Sequence, residues 1–321
     1  MEKRAEDKMT ILLCTCDSYE DLWTPFFTLF DKFGGELKKY PIIVNTESKQ
    51  YKYPNLNIKC VNQKVPFDGM AWGKRLRNVL SSISSEYVLF LLDDFFLTRE
   101  VNDGDYKKIL WCIETMEGDQ NIGGMNLLPL WGADSTKEMD GFYLINPGTP
   151  YRFNAQACIW RRKILFDSIL DIESPWEWEL YGNIRNDYLI KSKIYSLKDG
   201  EREPFCYGFY DYGKKQEDGN YATKSGVMRG KWCLPSVRKL FKDNGIKIDF
   251  SVRGIYREPL LIKIYQIIYQ SKILRYTVLI PYRKCKSLFG CYNKKAKEKY
   301  DLERKKYLEK FVYPYINKEH D

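Results

Sequence analysis

Tyr87-Val88-Leu89-Phe90-Leu91-Leu92 runs without a break into Asp93-Asp94. Six consecutive apolar residues with no polar alternation read as a strand buried on both faces, the kind found inside parallel sheets. Upstream of it, Trp72–Ser82 has a helical pattern, and Ile58–Val61 and Pro41–Asn45 read as short strands. Leu22, Phe26, Phe27, Leu29, Phe30 and Phe33 give an earlier helix its apolar face, and Gly34-Gly35 stops it. Met9–Cys14 is the first strand. Strands and helices alternating at this spacing predict an α/β fold with a mostly parallel central sheet and flanking helices. In such sheets ligands bind beyond the carboxyl ends of the strands, which is where Asp93 and Asp94 stand.

Downstream the pattern loosens. Residues 129–151 read as an irregular loop, Phe153–Trp160 as a strand, and Arg162–Leu170 as a helix. Ser174-Pro175-Trp176-Glu177 opens a further helix: Ser at the N-cap, Pro at the first position and Glu three residues after the cap form a capping box. Residues 207–232 read as a long loop. Pro259–Ile280 is an amphipathic stretch too polar to span a bilayer and suited to lying on one.

Composition narrows the chemistry. The 321 residues are 16% aromatic, which excludes wholesale disorder. The single histidine is His320, and the nine cysteines show no CxxC, so Cys/His zinc sites and histidine catalysis are not expected. An odd number of thiols and the lack of a signal-peptide pattern point to a reducing, cytoplasmic setting. The formal charge is +9, and residues 255–321, with 16 Lys/Arg against 7 Asp/Glu, hold all of that excess. A basic tail on a neutral body suggests an anionic surface as partner. The expected organisation is therefore a catalytic domain over 1–254 and a basic, largely helical region over 255–321.

Two carboxylates at the end of a buried strand are costly unless something neutralises them. A divalent cation with a diphosphate would do so, since hard oxygen ligands suit Mg²⁺ or Mn²⁺. The plainer alternative is a solvated pair at a strand terminus.

The chain resembles the bacterial inverting, family-2-like glycosyltransferases of the GT-A fold, a Rossmann-like architecture that uses nucleotide-diphosphate sugars. The likeness covers roughly residues 9–200. It rests on Cys14-Thr15-Cys16-Asp17-Ser18-Tyr19 after the first strand, on Asn45-Thr46-Glu47 after the second, on Gly73-Lys74-Arg75-Leu76-Arg77-Asn78, and on Asp93-Asp94. It continues through Asn154–Arg162 and Trp176-Glu177-Trp178-Glu179-Leu180, with Arg185 beyond. The resemblance implies donor contacts from Thr15, Asp17, Asn45, Glu47, Arg75, Asn78 and Asp93. It places the ribose on Asp93 and Mn²⁺ or Mg²⁺ on Asp94. Aligning Leu180 puts Glu177 on the family's base, with Glu179 as the second choice. For Glu177 the capping box competes with that role. Trp176 and Trp178 either stack on acceptor sugars or belong to the core.

The family's later metal-binding histidine has no counterpart here. Arg229 and Lys231 stand in that loop instead, either gripping the diphosphate directly or forming a solvated basic loop. The tail fits an anionic membrane, a solvated helix face or, less well for want of a motif, nucleic acid, which is not expected as a partner. The functional expectation is an inverting, hexosyltransferase-type enzyme of surface polysaccharide (capsule) synthesis. It would act on a glycan acceptor carried on a lipid, peripherally at the inner face of the cell membrane. A non-catalytic binding protein and a nucleotidyltransferase are the alternatives.

Overall fold

The computed structural model describes residues 8–62, 71–130, 133–149, 151–206, 225–257 and 302–316. They divide into two compact units, one within Met1–Phe209 plus Leu240–Lys247 and the other within Tyr210–Lys239 plus Ile248–Asp321.

The first unit follows the order β1 (Met9–Cys14), α1 (Glu20–Phe33), β2 (Ile42–Thr46), β3 (Ile58–Asn62), α2 (Trp72–Ser82), β4 (Tyr87–Leu92), α3 (Asp103–Gly118) and β5 (Ile122–Pro129). It continues through β6 (Ala133–Met139), β7 (Phe142–Ile145), β8 (Cys158–Arg161), α4 (Arg162–Asp167), α5 (Pro175–Arg185) and β9 (Lys193–Leu197). These strands form one nine-stranded sheet in the order β3-β2-β1-β4-β8-β5-β9-β7-β6. Strands β3, β2, β1 and β4 are parallel neighbours, and β5 pairs in parallel with β9. Only β8 and β7 run against the rest. The expected α/β architecture with a mostly parallel sheet is the one observed.

The reason lies in burial. Every residue of β1 and β2 is buried, as is β4 up to Leu91. One face of the sheet closes against α2, α4 and α5, where Leu12, Ile43, Leu76, Val79, Phe90, Trp160, Leu165 and Trp178 share a core. Two glycines set how closely elements approach. A Cβ at Gly73, in the first turn of α2, would lie 1.9 Å from the Leu170 carbonyl oxygen. At Gly124, in β5, it would meet the Trp160 ring at 2.7 Å.

The differences from expectation have local causes. Residues 129–151 are not irregular throughout: β6 and β7 form a hairpin about Asp140-Gly141, with φ of 45° and 79°. Asp-Gly is the residue pair favoured in such turns. The strand expected over Phe153–Trp160 is shorter and later, because Phe153 to Ala157 lie outside the ladder. Helix α3, β5 and β9 have no counterpart in the sequence reading.

In the second unit, Val227–Met228 pairs with Lys231–Trp232 across a turn at Arg229 and Gly230, with φ of 51° and 73°. Thus part of the expected 207–232 loop is a tight hairpin; residues 207–224 lie outside the described set. The hairpin is tied to the segment after it by Trp232 N–H to Gly254 O at 3.0 Å and Tyr256 N–H to Trp232 O at 2.8 Å. Residues 302–311 are helical. The amphipathic stretch Pro259–Ile280 lies outside the described residues. No helix among the described residues is long and apolar enough to cross a membrane.

Candidate active site

The parallel strands β1, β2 and β4 end on the same edge of the sheet, and their next residues gather there. Thr15 follows β1 and is buried. Its hydroxyl donates to Oδ2 of Asp93, the first residue after β4. The Trp23 indole, from α1, donates to Thr15 Oγ1 at 2.8 Å. Asp93 is only 4% exposed, whereas Asp94 is partly open.

Asp17 turns onto the loop after β2. Its carboxylate accepts from the backbone N–H groups of Glu47, Ser48 and Lys49 at 3.0, 2.9 and 3.1 Å, and from the Ser48 hydroxyl. With four donors on two oxygens, Asp17 organises that loop. Glu47 answers by accepting from Asp17 N–H through Oε2 and ion-pairing with Arg75 through Oε1, both side chains being almost fully buried. Burial lowers the Arg75 pKa from its ordinary value. It pushes the Cys14 thiol up to about 12, leaving an inert thiol beneath Trp72, whose indole donates to its sulfur.

Asn45 and Thr46 end β2 and are fully buried, yet Asn45 Nδ2 and Oδ1 and Thr46 Oγ1 find no hydrogen-bond partner among the described residues. A buried unsatisfied polar group costs about 1–3 kcal/mol, and such groups in a native fold call for an explanation. These lie in the loop-and-strand-end cluster that already holds Asp17, Glu47 and Arg75. Asn78 is in the body of α2, two turns on from Trp72.

The two candidate bases on α5 have different hydrogen-bond partners. Ser174 caps α5 as expected: its Oγ accepts from Glu177 N–H, and Glu177 Oε2 accepts from Ser174 N–H at 2.8 Å. Glu177 is exposed and engaged in the cap. Glu179, two residues on and so on the other side of the helix, is partly buried, and its Oε1 accepts from Ala155 N–H at 2.9 Å. Burial raises its pKa above the ordinary carboxylate value, with the Ala155 N–H opposing. Ala155 precedes β8, which pairs antiparallel with β4 in the register Phe90 to Cys158. The Ala155 N–H therefore holds Glu179 to the segment that leads into β8.

Trp178 is fully buried, its ring against Trp72, Phe90, Phe153 and Trp160 and its indole N–H on Ser168 Oγ at 3.0 Å. No face of it remains for a sugar, and the core alternative is the one seen. Trp176 is 73% exposed. Arg185 clamps the far end of α5 by a bidentate pair with Glu173, at 2.6 and 2.7 Å, and by Nε to Ser168 O. Arg229 and Lys231 belong to the hairpin of the second unit.

Among the described residues no cluster of three or more His, Cys, Asp or Glu could hold a metal ion. Asp93 and Asp94, consecutive in sequence, do carry hard oxygen donors. Two carboxylates suit Mg²⁺ or Mn²⁺ whose other ligands are phosphate oxygens and water, the usual way Mg²⁺ is held, and not a self-sufficient protein cage.

No family model matches the chain, and no curated protein does. Solved structures share part of its course. Staphylococcus aureus TarS matches at 15% identity and a TM-score of 0.39, over 60% of this chain and 35% of TarS. A mannosyltransferase from Pyrobaculum calidifontis, crystallised with GDP-Man and Mn²⁺, matches at 11% and 0.40, over 60% of this chain and 55% of its own. A CMP:2-keto-3-deoxy-manno-octonic acid synthetase with CTP matches at 12% and 0.35, over 62% and 93%. The chain thus spans between about a third and three-fifths of the TarS structures.

Proposed function

We propose that this chain is an inverting glycosyltransferase that moves a sugar, of hexosyl type, from a nucleotide-diphosphate donor to a hydroxyl of a glycan. The observation that carries the reading is the gathering of Thr15, Asp17, Glu47, Arg75 and Asp93 where the parallel strands end, with Asp93 held by the Thr15 hydroxyl. A second, partly buried carboxylate, Glu179, accepts from Ala155 N–H and is raised in pKa by burial. Transfer with inversion needs one base on the acceptor and one site for the departing diphosphate.

In this reading the base and ribose lie over Thr15, Asn45 and the loop that Asp17 and Glu47 shape, where the unsatisfied amide of Asn45 awaits partners. Asp93 and Asp94 would hold the donor's diphosphate together with its divalent cation. A bound Mg²⁺ or Mn²⁺ supplies charge neutralisation on the leaving group. Glu179 removes the acceptor hydroxyl proton as that oxygen bonds to the anomeric carbon and the bond to the diphosphate oxygen breaks. A raised pKa suits it, because a base nearer the working pH transfers protons more effectively. Glu177, whose carboxylate completes the helix cap, is a supporting residue.

Thermal shift with nucleoside diphosphates and triphosphates, with and without Mn²⁺, tests the reading. Selective stabilisation by one diphosphate supports it, while response to a triphosphate alone favours a nucleotidyltransferase. We further propose that residues 255–321 bring the enzyme to an anionic leaflet carrying a lipid-linked acceptor. Co-sedimentation with phosphatidylglycerol vesicles should weaken as salt screens the contacts over about 8 Å at physiological ionic strength. Equal binding to neutral vesicles would remove that proposal.

A further inference from the structure

Trp23 is fully buried in α1, with its ring edge-on to Tyr51 at 5.7 Å between centroids. Packing alone would explain a buried ring. It does not explain the polar end, which reaches across to the loop after β1 and donates to Thr15 Oγ1.

The chemistry of the three groups gives this contact a direction. An indole N–H only donates, and an ionised carboxylate only accepts. A threonine hydroxyl does both but carries one proton. With one lone pair taken by Trp23, the hydroxyl proton is directed to a second neighbour. Among the described residues two acceptors lie in reach, Asp93 Oδ2 and the Cys16 carbonyl oxygen, the latter at the longer distance of 3.4 Å. The charged oxygen is the stronger acceptor, since hydrogen bonds to ionised groups are shorter and about twice as strong as neutral ones. Thr15 and Asp93 are both buried, which strengthens the bond further.

We propose that Trp23 is a positioning residue: by occupying the acceptor side of Thr15, it commits the hydroxyl to Asp93 and holds that carboxylate toward the donor's diphosphate and divalent cation. The proposal rests on the reading of Asp93 as a donor contact. Without the indole N–H, the hydroxyl is free to turn toward Cys16 O, and Asp93 loses the Thr15 contact that helps to orient it while remaining chemically intact.

The test is isothermal titration with UDP, GDP, CDP and ADP, each in Mn²⁺ and in EDTA. Trp23→Phe keeps a buried ring and removes the N–H. Its affinity for the preferred diphosphate in Mn²⁺ should fall roughly 3–10-fold, the worth of one net hydrogen bond, with a smaller loss in EDTA. Thr15→Val should show the same metal-weighted loss and Thr15→Ser should restore binding. Adding Trp23→Phe to Thr15→Val should cost nothing more, as expected for members of one chain. A purely structural role would lower the melting temperature and leave the ratio of affinities with and without Mn²⁺ unchanged, which would overturn the proposal. So would additive losses in the double variant. If Trp23→Phe does not fold, the Thr15 pair decides: failure of Ser to rescue refutes the relay. Asp93→Asn separates the two levels. Wild-type binding in that variant, or no diphosphate bound by the wild type, removes the underlying reading and the inference with it. Lost binding there with normal binding in Trp23→Phe leaves the reading standing and refutes the relay alone.

Discussion

Glu179→Gln separates catalysis from stability in one substitution. The amide oxygen of Gln can still accept the Ala155 N–H that Oε1 accepts at 2.9 Å, so the local geometry is kept. The desolvated carboxylate disappears, so stability should hold or rise, with any change within about 0.5 kcal/mol of zero or favourable. The proton acceptor is lost, which should cut transfer about 10²–10⁴-fold, or roughly 2.7–5.5 kcal/mol of barrier. Glu177→Gln is the matched control, because a capping box accepts Gln in place of Glu. Its rate and melting temperature should stay near wild type. The assay is release of nucleoside diphosphate in the presence of acceptor, beside a thermal melt of each variant. The pH dependence follows from the same group. The folded pKa is raised, so the native state binds this proton more tightly than the unfolded chain. The contribution of Glu179 to stability therefore falls as pH rises from the unfolded value, about 4.3, through the folded one. Activity rises over that same window, and Glu179→Gln should lack both changes. Near-wild-type turnover in Glu179→Gln, or loss of activity in a well-folded Glu177→Gln, would refute the assignment.

Two further outcomes test the scaffold around the site. Arg75→Met leaves Glu47 buried without its ion pair and should lose about 3–5 kcal/mol in urea unfolding, much of it recovered in Glu47→Leu/Arg75→Met. Gly73→Ala drives a methyl into the Leu170 carbonyl and should cost about 1–3 kcal/mol by the same measurement, because backbone cannot yield as a side chain can.

The parallel strands were legible because each is a short apolar run, as β4 shows with six such residues before its acidic pair. Strand β6 was not, because Ala133–Met139 is a polar edge strand and carries no hydrophobic signal. The Asp140-Gly141 pair was the available cue for its hairpin. Strand β5 was masked by Gly123-Gly124, which serve close packing against Ser192 and Trp160. Helix α3 opens on an Asn102/Asp105 capping box, a less common version of the signature that made α5 readable. Around the site, Asp93-Asp94 and the Thr15, Asp17, Asn45 and Glu47 loops could be picked from sequence by position after strands. That Glu177 closes the helix cap while Glu179 accepts from Ala155 N–H could not. The cap is a local pattern, whereas the Ala155 anchor depends on where β8 meets β4. Trp178 was ambiguous for the same reason: its helix position is known from sequence, but not the four aromatic rings around it.

The most direct test of the central claim is to incubate the protein with a panel of nucleotide-diphosphate sugars and Mn²⁺ or Mg²⁺, and to measure the nucleotide released. The account predicts release of one nucleoside diphosphate from a preferred sugar donor, faster with a glycan acceptor and abolished in Asp94→Asn. Formation of pyrophosphate from a nucleoside triphosphate and a sugar or sugar phosphate, with no diphosphate released from any donor, would contradict it.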